Sequence, residues 1–177
     1  VRKDSRDTAP AASIEAGGDG SLEEILEREG DKVAAVIIEP KLQGAGGMIV
    51  WPSASLVEIR DLCDRHGTIL IADEVFTGFG RTGPLFACEH GPIVPDIICL
   101  SKALTAGYMP LAATLSTDKI YDSFLSEDRG KTFFHGHSYT ANALACAIAL
   151  ENLDIFEEEK ILLRIAEIEG LFSQRLR

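Results

Sequence analysis

Two short apolar runs, each halted by charge, set what this chain can fold into. Ile69-Leu70-Ile71-Ala72 runs into Asp73-Glu74, and Asp96-Ile97-Ile98-Cys99-Leu100-Ser101 runs into Lys102. An uninterrupted apolar run of this length reads as a strand covered on both faces, as in a parallel sheet flanked by helices. The segments around them carry helical signals. Ser21 and Glu24 form a capping-box pair opening a helix, LEEILEREG, that stops near Gly30. Leu56, Ile59, Leu62 and Cys63 recur at helical spacing on a segment capped by Ser53 or Ser55 and stopped by Gly67. Residues 33–38 are a β-branched run ended by Glu39-Pro40, and Gly44, Gly46 and Gly47 then read as a flexible loop. Residues 111–115 read as a strand, 118–125 as a short helix, 140–158 as an alanine-rich helix and 160–176 as an amphipathic one. This order predicts an α/β fold with a mainly parallel sheet and helices on both faces. The strand at 111–115 follows its predecessor after a turn marked by Gly107 and Pro110. A parallel crossover needs about a dozen residues, so this strand is expected to run antiparallel.

The charges at the two strand ends lie where open α/β folds place their ligands. An acid at one strand end and a lysine at its neighbour are suited to hold the two ends of one cofactor. The acid pairs with a ring nitrogen and the lysine condenses with an aldehyde, the arrangement that pyridoxal phosphate (PLP) requires. A nearby carboxylate favours a protonated ring nitrogen, and a lysine that loses hydration becomes a better nucleophile. Taken singly, each residue has a plainer reading, Asp73 as a capping acid and Lys102 as a solvated surface amine.

At 177 residues and 46% apolar content, the chain can bury one sizeable core. A formal charge of −11 argues against a nucleic-acid or anionic-membrane surface, which needs clustered Lys and Arg. Cys63, Cys88, Cys99 and Cys146 form no C-x-x-C pair, in keeping with a reduced, cytoplasmic protein. No secretory signal and no bilayer-length apolar run is visible. The chain starts at Val1 and its last helical pattern runs into Arg177, so it is expected to be a piece of a longer protein. Residues 1–20 read as a loop or arm, 21–158 as the core carrying both strand ends, and 159–177 as a helix.

Four segments, IIEPKLQGAGG (37–47), ILIADEVFTGFGRTG (69–83), DIICLSKALTAGYMPLAATLST (96–117) and TFFHGHSYTANALACA (132–147), together resemble the class III PLP-dependent aminotransferases of fold type I. Within that class, FACEH (86–90), SKALTAGYMPLAATLST and FFHGHSYT are most similar to the branch serving biotin synthesis. The resemblance implies PLP as cofactor and transfer of an amino group to 7-keto-8-aminopelargonate from S-adenosylmethionine or lysine. It also implies a homodimer with a shared active site, with residues 21–158 as a partial PLP-binding large-domain core and 159–177 leading toward a further small domain. The runner-up is an ω-aminotransferase acting on ornithine or 4-aminobutyrate.

The same resemblance implies roles for individual residues. Asp73 would face the ring nitrogen, Lys102 would bond the cofactor aldehyde, and Val75 would pack under the ring. His137 and Ser138 would reach the cofactor phosphate from a partner subunit, Ser138 keeping a hydroxyl where Thr is usual. Glu39 would sit near the cofactor and pair with a substrate-binding arginine, with Gln43 in the same segment. Arg81 would either be structural or shape the substrate site. Phe76 stands where many relatives carry Gln or Ala, so the hydrogen bond some of them make to the cofactor hydroxyl would be missing. The family's glycine-rich phosphate loop, ring-stacking aromatic and carboxylate-binding arginine are not found in residues 1–177, and the chain as given is expected to lack a complete site. His135 and His137 have no further suitable ligands nearby, and zinc takes three or four, so no metal is expected. Asp73-Glu74 after an apolar run also fits the Walker B strand of ATPases, but no G-x-x-x-x-G-K-[ST] loop accompanies it. An inactive scaffold that keeps the fold is the third reading.

Overall fold

The computed structural model describes residues 21–176. The arm expected at 1–20 lies outside the described residues. Helix α1 (Leu22–Glu29) opens on the expected capping box, with Glu24 N–H donating to Ser21 Oγ at 3.3 Å and Ser21 N–H to Glu24 Oε2 at 3.1 Å. A 3₁₀ turn (Gly30–Lys32) leads into β1 (Ala35–Ile38). The glycine-rich stretch is not a loose loop. It forms a small antiparallel hairpin, β2 (Leu42–Gln43) against β3 (Ile49–Val50), reversing through Gly47 and Met48 at positive φ.

Helix α2 (Ser53–His66) stops at Gly67, whose left-handed backbone (φ 62°) lets its N–H reach the Cys63 and Asp64 carbonyls. Its start differs from the expected serine cap. Pro52 takes the cap position without a side-chain bond, and Ser53 Oγ instead accepts from Lys41 Nζ at 3.2 Å. Strands β4 (Ile69–Asp73), β5 (Ile97–Leu100) and β6 (Ala113–Ser116) follow, then helices α3 (Asp118–Asp122), α4 (Ala143–Glu158) and α5 (Ile161–Arg175). The main sheet has the order β1-β4-β5-β6. Its first two pairings are parallel and the last antiparallel, as the short turn before β6 requires.

Strand alternation divides the sheet into two faces. On one, Leu70 and Ala72 pack against Leu56, Ile59 and Cys63 of α2, joined by Val36, Ile38 and Ile98. At its carboxyl end a second cluster gathers Phe79, Leu100, Leu104 and Ala149, with Phe86 and Phe156 edge-on to Phe79 at 5.9 and 6.1 Å. The other face is less covered among the described residues: Ile71, Ile97 and Cys99 are half-buried and Ile37 is 55% exposed. Asp73 shares this second face, since it continues the alternation of Ile69 and Ile71.

The amino edge of the sheet is tied by charge. Asp96 Oδ2 accepts from Leu70 N–H at 2.8 Å and from Arg60 Nη1 at 2.9 Å, while Arg60 Nη2 lies 2.7 Å from Asp64 Oδ1. Burial pushes the Asp96 carboxyl upward, but the Leu70 and Arg60 hydrogen bonds outweigh it and hold the group below the usual carboxylate range. A depressed folded-state pKa contributes stability that is present above the unfolded value and lost as pH falls through the folded one. Asp96→Asn is therefore expected to lower the urea midpoint of the full-length protein at pH 7. The gap to wild type should narrow below about pH 4, the ordinary carboxylate value, when unfolding is followed from pH 7 to pH 3.

Candidate active site

Three strand ends meet along the carboxyl edge of the sheet. Ile38 pairs with Ala72, so Glu39 follows β1 beside Asp73, and Asp73 itself pairs with Cys99 of β5. The ladder extends one step further, through Glu74 N–H to the Cys99 carbonyl at 3.0 Å. Lys102 comes just past the end of β5. The parallel register thus brings Glu39, Asp73 and Lys102 to one edge.

Asp73 is half-buried, and its Oδ1 accepts from Val75 N–H at 3.0 Å. No other described residue donates to it, which leaves Oδ2 available to an incoming N–H. Lys102 opens a 3₁₀ turn (Lys102–Thr105) with its backbone at φ 44°, a left-handed conformation that costs a side-chain-bearing residue about 1 kcal/mol or more. The surroundings hold it there. Ser101 Oγ donates to the Leu111 carbonyl at 2.7 Å, and Thr105 Oγ1 to the Met109 carbonyl at 2.5 Å. From α4, buried Asn152 Nδ2 donates to the carbonyls of Ala103 (2.9 Å) and Leu104 (3.2 Å). Among the described residues nothing buries the side chain of Lys102. Its Nζ lies 5.1 Å from the centroid of the Phe76 ring.

The remaining sequence candidates are placed less uniformly. Glu39 Oε2 accepts from Gly44 N–H at 2.9 Å, closing the turn after β1, and the Gln43 side chain folds over Gly46. Val75 is half-buried next to Asp73. Arg81 is exposed and forms no ion pair with a described residue. His137 and Ser138 lie on an exposed loop whose hydrogen bonds are local: His137 N–H to Thr140 Oγ1 at 2.9 Å and Tyr139 N–H to His137 Nδ1 at 3.1 Å. None of these bonds ties the loop to the strand ends.

Over residues 3–177 the sequence matches the family described as Aminotransferase class-III. It is 52% identical over 173 residues to the adenosylmethionine-8-amino-7-oxononanoate aminotransferase of Geobacter sulfurreducens, an alignment covering 97% of this chain and 38% of that protein. The chain belongs to the class III aminotransferases. The crystal structure of adenosylmethionine-8-amino-7-oxononanoate aminotransferase from Methanocaldococcus jannaschii superposes with a TM-score of 0.83 at 42% identity, over 89% of this chain and 37% of that one. An amine transaminase from an uncultivated Pseudomonas species, solved in a PLP-bound form, gives a TM-score of 0.80 at 42% identity, over 87% of this chain and 35% of that one. The chain thus spans well under half the length of these class III relatives.

Two structural supports of this edge escaped the sequence reading. Glu74 is fully buried, and its carboxylate accepts from Thr77 Oγ1 (2.5 Å), Ala87 N–H (3.0 Å) and Cys88 N–H (2.8 Å). It pins the segment 77–88 beneath the end of β4, so the Glu74 carboxylate is not free to polarise a water, as the second acid of a Walker B strand would. Burial and the neighbouring Glu74 charge both push the Cys88 thiol upward, keeping it protonated. The second support is Asn152. Both had a signal: adjacent residues on a strand face opposite ways, so one of Asp73 and Glu74 had to turn inward, and Asn152 is a polar residue inside an alanine-rich apolar helix. Glu74→Ala strands two backbone N–H groups and a hydroxyl, and is expected to destabilise the full-length protein by about 3 kcal/mol or more in urea unfolding. Glu74→Gln keeps one acceptor oxygen and should fall between the two.

Proposed function

We propose that this chain forms part of a PLP-dependent aminotransferase that aminates 7-keto-8-aminopelargonate in biotin synthesis. The donor would be S-adenosylmethionine or lysine. The observation that carries this reading is the convergence of Asp73 and Lys102 at the carboxyl ends of two hydrogen-bonded parallel strands. The names of the Geobacter and Methanocaldococcus relatives support the substrate.

The donor set fits PLP. A carboxylate with one oxygen held by backbone and the other open suits a ring N–H, and an accessible primary amine suits an aldehyde. When bound, PLP supplies an electron sink that stabilises the carbanion left when a substrate carbon loses its proton. Asp73, ionised, would keep a proton on the ring nitrogen by charge. Lys102 would bond the aldehyde carbon and, once free, carry the proton to and from the substrate carbon. Val75 would pack under the ring. His137 and Ser138 would donate to the phosphate across a homodimer interface, while Glu39, Gln43 and Arg81 would line the substrate side.

In this reading residues 21–158 are part of the cofactor-binding domain and 159–177 lead toward a further one. The protein is assigned to the cytoplasm, with small-molecule partners and no nucleic acid, in line with its acidic charge. No described helix is long and apolar enough to cross a membrane.

Borohydride reduction of the full-length protein with PLP is expected to leave a mass adduct on the peptide carrying Lys102. Lys102→Ala should lower turnover of 7-keto-8-aminopelargonate by about a thousand-fold or more, and Asp73→Asn by about a hundred-fold with PLP still bound. Activity with ornithine or 4-aminobutyrate as amino donor and 2-oxoglutarate as acceptor, with none on 7-keto-8-aminopelargonate, would redirect the substrate assignment. An adduct on another lysine, or an Asp73→Asn enzyme at the wild-type rate, would overturn the residue roles.

A further inference from the structure

We propose that Phe76 is a positioning residue for the Lys102 amine, its ring face seating the ammonium whenever the amine is not bonded to the cofactor. The inference rests on the reading of Lys102 given above. The Lys102 Nζ lies 5.1 Å from the Phe76 centroid, within the range where a cation is drawn to the negative face of an aromatic ring. The ring is itself held from behind. A Cβ added to Gly44 would lie 2.8 Å from Phe76 Cδ1 and 3.1 Å from Cε1, so the ring lies flush against the Gly44 backbone. Gly44 is fixed in turn by its N–H bond to Glu39. Phe76 therefore packs against the turn after β1 while Lys102 Nζ lies over its ring face.

This seat answers a need of the chemistry. A lysine side chain with three rotatable donors samples many rotamers, and an amine that must return repeatedly to one carbon atom loses rate by wandering. No carboxylate among the described residues forms an ion pair with Lys102. The aromatic face supplies attraction without the fixed negative charge that would bind the ammonium too firmly to release it. An aliphatic residue of similar bulk would fill the same space and offer no such attraction.

The test uses the full-length, PLP-loaded enzyme. Phe76→Leu and Phe76→Met remove the ring face while keeping apolar bulk, and Phe76→Tyr keeps the face. Each is compared by melting temperature, borohydride adduct on Lys102, KM, and the single-turnover rate of amino transfer from the donor. The two aliphatic variants are expected to lose about three- to thirty-fold in that rate, with KM, melting temperature and adduct yield near wild type, and Tyr should restore most of the rate. Wild-type rates in Phe76→Leu and Phe76→Met, with the adduct still on Lys102, would overturn the proposal alone. Equal losses in all three variants together with lowered melting temperatures would also overturn it, showing that Phe76 acts by packing. Loss of the Lys102 adduct in the wild-type enzyme would instead overturn the reading of Lys102 on which it stands.

Discussion

Parallel pairing of β4 with β5 makes two chain segments that are distant in sequence end at the same level. The ladder from Ile71 and Ile97 to Asp73 and Cys99 carries both backbones to one edge, and the extra bond from Glu74 to Cys99 keeps them together past the last regular pair. Slipping this ladder by one residue would turn Asp73 onto the face packed by α2 and expose Leu70 and Ala72. The apolar contacts of Leu70 and Ala72 with Leu56, Ile59 and Cys63 resist that slip. Packing on one face of the sheet therefore decides where the carboxylate on the other face stands.

Beyond the strand ends, precision is kept by polar groups that touch no ligand themselves. Glu74 satisfies three donors from below β4, and Asn152 reaches from α4 to two carbonyls of the turn that begins at Lys102. Both are buried, so each makes its bonds in surroundings where a missing partner is costly. Asn152 offsets an unfavourable backbone: Lys102 sits in the left-handed region, and Ala106 closes the same turn at φ 50°. Backbone strain offset by buried hydrogen bonds is a common way to hold a group in a geometry it would not choose.

Much of this was legible in the residues. The two apolar runs, the Ser21–Glu24 cap, the Gly67 stop and the short turn before β6 each state a local rule, and the structure obeys it. The β2–β3 hairpin was not legible, because its strands are two residues long and its glycines signal only freedom. The expected cap at Ser53 failed because the hydroxyl is engaged by Lys41, a partner twelve residues earlier in the chain. Asp73 and Lys102 stand out as candidates because strand ends collect chemistry, whereas Glu74 and Asn152 carry only the weaker signals of strand alternation and of a polar residue in an apolar helix, and their partners are set by tertiary packing.

The contact between Gly44 and Phe76 restricts which substitutions this chain can accept. Any side chain at 44 displaces the ring at 76, and a slimmer residue at 76 removes the obstacle that keeps 44 bare. The two sites are therefore epistatic: an alanine tolerated at one in a given background would be harmful in another, and exchange at either should travel with exchange at its companion.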